Sequence, residues 1–227
     1  MHRRSFFAGA HCLKLALAVG LFVSGLGCAR TGPPGNKDVQ QRSTIRSESI
    51  ASVAYGPLGD ARIRGSIVIR ECYDSMGEPQ NYPIRSTLKT ADWKAVLNNI
   101  VTQYPAVSWK SDSGIVRVSD KFAEPRLLAV KIKDVNVAKV YDGWQVLPAL
   151  KWSPELRDFM TREGSEFLSS TSEIHQAPYG KARRVHFEDK TVAEALDELS
   201  RQFPGFWTYQ ECDHAGKKQV WLDFWQY

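Results

Sequence analysis

The chain has 227 residues, 43% of them hydrophobic and 24% charged, which suits one globular domain or two small ones. Its formal charge is +5, but Arg3, Arg4 and Lys14 stand in the first 28 residues, where no acid occurs, so the remainder holds 27 basic against 25 acidic side chains, a net of +2. That balance lacks the clustered basic face on which nucleic-acid binding depends, and no nucleic-acid partner is expected.

Residues 1–27 read as an export signal: a basic start "MHRR", an apolar run "LALAVGLFV" at 15–23, and the small residues "SGLGCA". The apolar run is too short to be a stable membrane anchor. "RRSFFAG" resembles the twin-arginine export pattern, and both that route and general export stay open. Cys28, directly after Gly27, resembles the acceptor cysteine of bacterial lipoproteins, which implies an anchor to the membrane through lipid. The alternative is plain cleavage after Gly27 or Ala29 and release into the periplasm. Residues 28–61 begin "CARTGPPGNKDVQQRSTIRSES", with almost nothing to bury, and are expected to be a flexible tether. Twenty such residues span roughly 25 Å.

Residues 62–125 form a first unit. A strand "SIVIR" at 66–70 leads through a long loop to a helix in "DWKAVLNNIVTQYP", and "VSW" and "IVRV" flank the turn "SDSG" as a hairpin. Residues 126–183 connect the units: a strand in "RLLAVKIK", a helix with Val137, Val140, Tyr141 and Trp144 on one side, a helix opened by Ser153 and Pro154 and closed by Gly164, and a Ser- and Gly-rich surface loop from 165 to 183.

Residues 184–227 form the second unit. "RVHF" is a short strand, and Thr191 with Glu194 makes a capping box. Val192, Ala195, Leu196, Leu199 and Phe203 give an apolar stripe that stops at Pro204 and Gly205. "FWTYQEC" and "KQVWLDFW" flank the turn "DHAG". A shift of 99 residues lays Gln103–Val107 on Gln202–Phe206 and Val96, Leu97 and Ile100 on Ala195, Leu196 and Leu199, with Trp109 and Trp207 following, so the strand, helix and hairpin occur twice. The expected class is α+β, two strand-helix-hairpin units with helices packed on small, mainly antiparallel sheets and one shared core. Cys72 and Cys212, the cysteine pair left in the mature body beside Cys28, suggest a disulfide in an oxidising compartment.

The pattern "TVAEALDEL" followed by an apolar strand resembles the short N-terminal domain of secretins and TonB-dependent receptors. The likeness covers about 45 residues of the second copy and fewer of the first. It implies a periplasmic βαβ module that contacts other proteins.

Chemical motifs are sparse. His175, His186, Cys212 and His214 are the soft or imidazole candidates, and none is spaced at i, i+3 or i, i+4 on a helix, so neither metal nor cofactor is expected. "STLK" at 86–89 matches a penicillin-binding S-x-x-K pattern without its companion motifs. Glu194, Asp197, Glu198 and Arg201 are expected on a solvated helix face. In the last strand Val220, Leu222 and Phe224 alternate with Trp221 and Trp225, so both faces are apolar. One face serves the core, and the other is covered by residues 126–164, whose Trp144, Trp152 and Phe159 also need burial. Failing that cover, Trp221, Trp225 and Tyr227 form an exposed stacking surface. The function expected first is a non-enzymatic cell-envelope module that binds a partner protein. A small periplasmic hydrolase or metal-dependent enzyme, and a cell-wall or glycan binder using the terminal aromatics, are the alternatives.

Overall fold

The computed structural model describes residues 47–84, 90–168 and 181–227. The export signal, Cys28, the tether as far as residue 46, "STLK" and His175 lie outside them. Helix α1 (Ile50–Asp60) comes first and corrects the tether's expected end at 61. Ser49 caps it by accepting a hydrogen bond from the Ser52 N–H, and Ile50, Ala51, Val53, Ala54 and Leu58 are buried. Gly56, Pro57 and Gly59 hide this helix from a reading based on composition. Proline and glycine count as breakers, yet here the apolar face outweighs them.

Strand β1 (Arg64–Arg70), a strap from 71 to 84, helix α2 (Trp93–Gln103) and the hairpin β2 (Val107–Asp112) to β3 (Ile115–Asp120) follow. Arg126–Ala129 is a 3-10 turn rather than strand, and β4 (Lys131–Val140) takes over at Lys131. Val137 and Val140 belong to β4, not to a helix. A bulge between them, with Lys139 at φ 57°, sets the two valines three residues apart against the same core, which imitates helical spacing. Trp144 sits in a second 3-10 turn, Gly143–Val146.

Helices α3 (Leu147–Lys151) and α4 (Pro154–Arg162) precede β5 (Ser165–Phe167), which turns the start of the expected surface loop into an edge strand. Strand β6 (Arg183–Thr191) runs straight into α5 (Val192–Gln202), and the hairpin β7 (Gly205–His214) to β8 (Lys217–Gln226) ends the chain. Both helices of the repeat have 11 residues, in the register the shift of 99 requires. Both hairpins turn on two residues of positive φ, Ser113-Gly114 and Ala215-Gly216, the type I′ arrangement that matches the twist of the strands.

The class is α+β, and the main sheet is mixed rather than mainly antiparallel. Its order is β2-β3-β1-β7-β8-β5, and β4 pairs with β6 in a separate ribbon. Strand β1 lies between the two hairpins and runs parallel to both β3 and β7. Each hairpin reaches β1 only after a helix, the connection that parallel pairing needs.

The sheet divides two cores. On one face Ile67, Ile69, Val116, Val118 and Phe206 meet α1 and α2. On the other, Trp207, Tyr209, Val220, Leu222 and Phe224 meet α5, α4 and the β4–β6 ribbon. The expected common interior is thereby corrected: the two copies share a sheet, and their helices lie on its opposite faces. No described helix is long and apolar enough to cross a membrane.

Candidate functional site

The C-terminal aromatics do not form the exposed row. Residues 126–164 cover Val220, Leu222 and Phe224, while α1 covers Trp225 and Tyr227. The Tyr55 ring lies 5.2 Å from Trp225 and 6.0 Å from Tyr227, and Trp225 stacks on Phe206 at 6.0 Å. The Tyr227 hydroxyl donates to the Ile63 carbonyl at 2.8 Å. Gly59 lets its ring approach so closely that a Cβ there would stand 2.7 Å from the ring carbons. Trp221 meets Tyr73 edge-on at 5.6 Å. The cover is the helix read as tether. Trp152, expected to be buried, is 70% exposed.

Cys72 and Cys212 are joined by a disulfide, with Cα atoms 5.0 Å apart. His186 lies on β6 and hydrogen-bonds the Asp134 carboxylate at 2.7 Å, whereas His214 closes β7 in the other sheet. Among the described residues no group of three or more His, Cys, Asp or Glu is placed to hold a metal ion.

Asp197 departs most from its expected place on a solvated face. It is 8% exposed, takes both arms of the Arg117 guanidinium at 3.2 and 2.6 Å, and accepts the Trp207 indole N–H at 3.0 Å. The pairing keeps Arg117 more firmly protonated than usual. Arg117 hides inside the strand "IVRV", so nothing in the sequence announced the partner. Glu194 does cap its helix, and the Thr191 N–H and hydroxyl hold its carboxyl below the usual range.

The densest chemistry lies at the carboxyl ends of the parallel strands β3, β1 and β7, where ligands of parallel sheets commonly bind. Three buried acids stand there: Asp120 ends β3, Glu71 follows β1, and Glu211 lies near the end of β7, exposed by 7%, 0% and 3%. Each carboxylate accepts backbone N–H groups from a neighbouring segment. Asp120 receives those of Arg70, Phe122 and Ala123. Glu211 receives the Glu124 N–H at 2.6 Å, the Tyr209 hydroxyl at 2.7 Å and Lys218 at 3.4 Å. Glu71 receives the N–H of Asn81 at 2.8 Å and of Tyr82 at 3.4 Å through Oε1, while Oε2 has no partner among the described residues.

These environments shift protonation. Burial pushes the Glu71 carboxyl up to about 7, against the strap's N–H donors and helped by the charge of Asp120. Burial also raises the Tyr209 and Tyr82 hydroxyls, with the Glu211 and Asp120 carboxylates adding to it. Glu71 therefore has the protonation of a general acid or base, but it is enclosed, and neither described histidine hydrogen-bonds it. The acids act as clamps that pin the strap 71–84 and the loop 121–125 onto the sheet end. Only Glu71 offered a signal in the sequence, an acid directly after the last residue of an apolar strand.

The clamped segments carry exposed apolar side chains, Met76 at 77% and Phe122 at 51%, the latter with the Lys121 ammonium 5.1 Å over its ring. Comparison of the chain with protein-family models, curated proteins and solved structures finds no match in any of the three.

Proposed function

We propose that the protein is a non-enzymatic docking module of the bacterial cell envelope, exported and held to the membrane by lipid on Cys28, and that it binds a partner protein through the platform at the carboxyl ends of β1, β3 and β7. One observation carries the reading: the buried acids there hold backbone N–H groups in place instead of facing a cleft, so they fix the shape of two segments that present Phe122 and Met76 to solvent. Rigid loops with exposed apolar groups suit docking, because little order remains to be imposed on binding. The likeness of "TVAEALDEL" to the secretin and TonB-receptor module, and the Cys72–Cys212 disulfide, support an address outside the cytoplasm.

The test is site-specific photo-cross-linking in the envelope, with the reactive residue at position 122 and, as a control, at exposed Lys133 on β4. A discrete protein adduct from position 122 alone is the expected result. Adducts of equal yield from both positions, or none from either, would contradict the platform as the docking face.

A further inference from the structure

We infer that the notch between α1 and the β7–β8 hairpin, where Gln210, Trp221 and Asp223 keep unpaired hydrogen-bonding groups between two aromatic pairs, is a binding site for a neutral saccharide. The inference concerns the α1 side of the hairpin and does not rest on the docking platform.

Alternation along β8 sets Trp221, Asp223 and Trp225 on the face opposite Val220, Leu222 and Phe224. Across the hairpin they pair with Gln210, Thr208 and Phe206 of β7. Each end of this row is walled by a tyrosine that a hydrogen bond holds in place. At one end Tyr73 meets Trp221 at 5.6 Å, and its hydroxyl donates to Gln210 at 3.0 Å. At the other Tyr55 meets Trp225 at 5.2 Å, and its hydroxyl donates to the Gln226 carbonyl at 3.2 Å. Ser49 lies beside the Tyr73 hydroxyl, and its own hydroxyl is 3.1 Å from that of Ser52, so the first turns of α1 border the notch. The two tryptophans are four strand residues apart, about 13 Å along the backbone, with half-buried Asp223 midway between them.

The polar groups of the notch divide into those that are paired and those that are not. The Trp225 indole N–H donates to the Thr208 hydroxyl at 3.3 Å, and the two tyrosine hydroxyls are engaged as above. Gln210 is only 7% exposed, yet one end of its amide serves Tyr73 while the other has no partner among the described residues. That free end is not among the sealed, unpaired atoms of the interior, so it reaches solvent through the notch. The Trp221 indole N–H and the Asp223 carboxylate also lack a hydrogen bond or ion pair among the described residues. Polar side chains this deeply set are ordinarily paired, and these three converge between the aromatic walls, placed for a partner from outside the chain.

The free groups include both donors and an acceptor, and this mixture selects the ligand. An anion would be repelled by Asp223. An organic cation would satisfy Asp223 alone, leave the indole and amide N–H groups unmet, and meet the charge of Lys151, which acts on Asp223 from α3 without pairing to it. A sugar hydroxyl donates to a carboxylate and accepts from an N–H at once. The C–H faces of a pyranose ring are apolar enough to lie against an indole.

The experiment is an NMR titration of the nitrogen-15-labelled protein with chitotriose, cellotriose and maltotriose, and with spermidine as the cationic control. It is read at the tryptophan indole N–H signals, that of Trp221 being identified by its loss in Trp221→Phe. At least one trisaccharide is expected to move the Trp221 signal saturably below about 10 mM, while the signals of Trp109 at the sheet edge and of exposed Trp152 hold still. Asp223→Ala, which removes a side chain with no partner of its own, should weaken that binding by at least about tenfold. Three results would overturn the site: no saturable shift with any trisaccharide, shifts at Trp152 as large as at Trp221, or undiminished affinity in Asp223→Ala. Saturation by spermidine alone would make the notch a cation site and overturn it equally. Should Asp223→Ala fail to fold, the native titration decides alone, by whether Trp221 moves with a sugar while Trp109 and Trp152 do not.

Discussion

The two copies of the helix-hairpin unit share more than a length. In each, the sixth residue of the helix, Asn98 in α2 and Asp197 in α5, accepts the indole N–H of a tryptophan on the next strand, Trp109 and Trp207, at 3.0 Å. The surroundings of that bond differ entirely. In the first copy it lies at an exposed sheet edge, since among the described residues β2 has no neighbour beyond β3. In the second it is buried between α5 and the sheet, and Arg117, contributed by the first copy's β3, completes it as an ion pair. Local pattern fixes the helix, the turn and the bond. Whether the unit ends at the rim or in the middle is decided by what packs on it, α1 for one copy and the β4–β6 ribbon for the other.

The largest effect expected on breaking this arrangement comes from the link spanning both copies. Replacing Cys72 and Cys212 with Ala opens a loop of separation 140 and should cost about 4–5 kcal/mol in denaturant titrations if the unfolded chain loses the full closure entropy. Next comes the shared ion pair. Asp197→Ala strands a partly buried Arg117 and the Trp207 indole, with an expected loss of about 3 kcal/mol, whereas Asn98→Ala at the exposed counterpart should cost about 0.5 kcal/mol. Equal losses at the two sites would erase the distinction between buried and rim copies.

The caps give the smallest contrast. Thr191→Ala removes a reciprocal capping box and Asp92→Ala a single bond to the Lys94 N–H, so losses of about 1.5 and about 0.7 kcal/mol are expected in thermal or chemical melts. Buried Glu71 adds a pH dependence of its own sign: native stability should exceed that of Glu71→Gln least at pH 8 and gain on it as the pH falls toward 4.5, because burial lifts the folded carboxyl to about 7.

What could be read from the sequence was what is local. The cap at Thr191, the stop at Pro204-Gly205, both hairpins with their turns, and the cysteine pair stand where their residues indicate. The misreadings share one cause, a local signal that tertiary packing overrides. Lys139 at positive φ breaks the alternation of β4 and makes a strand look helical. Helix α1 holds Gly56, Pro57 and Gly59 yet buries five side chains. Asp197 falls on the polar side of its helix by sequence, and it is buried only because Arg117 and Trp207 meet it from the sheet, 80 and 10 residues away. Glu71, Asp120 and Glu211 came together through the parallel alignment of β3, β1 and β7, which no single segment encodes.

The claim that the copies build two interiors on opposite faces of one sheet is tested most directly by a double-mutant cycle between Leu97 in α2 and Leu196 in α5, both almost fully buried. Each change to Ala should cost about 3 kcal/mol, and the double variant should lose the sum to within about 0.5 kcal/mol, as for sites without shared partners. A coupling above about 1 kcal/mol would mean that the two leucines line a common interior, and the two-faced arrangement would be wrong.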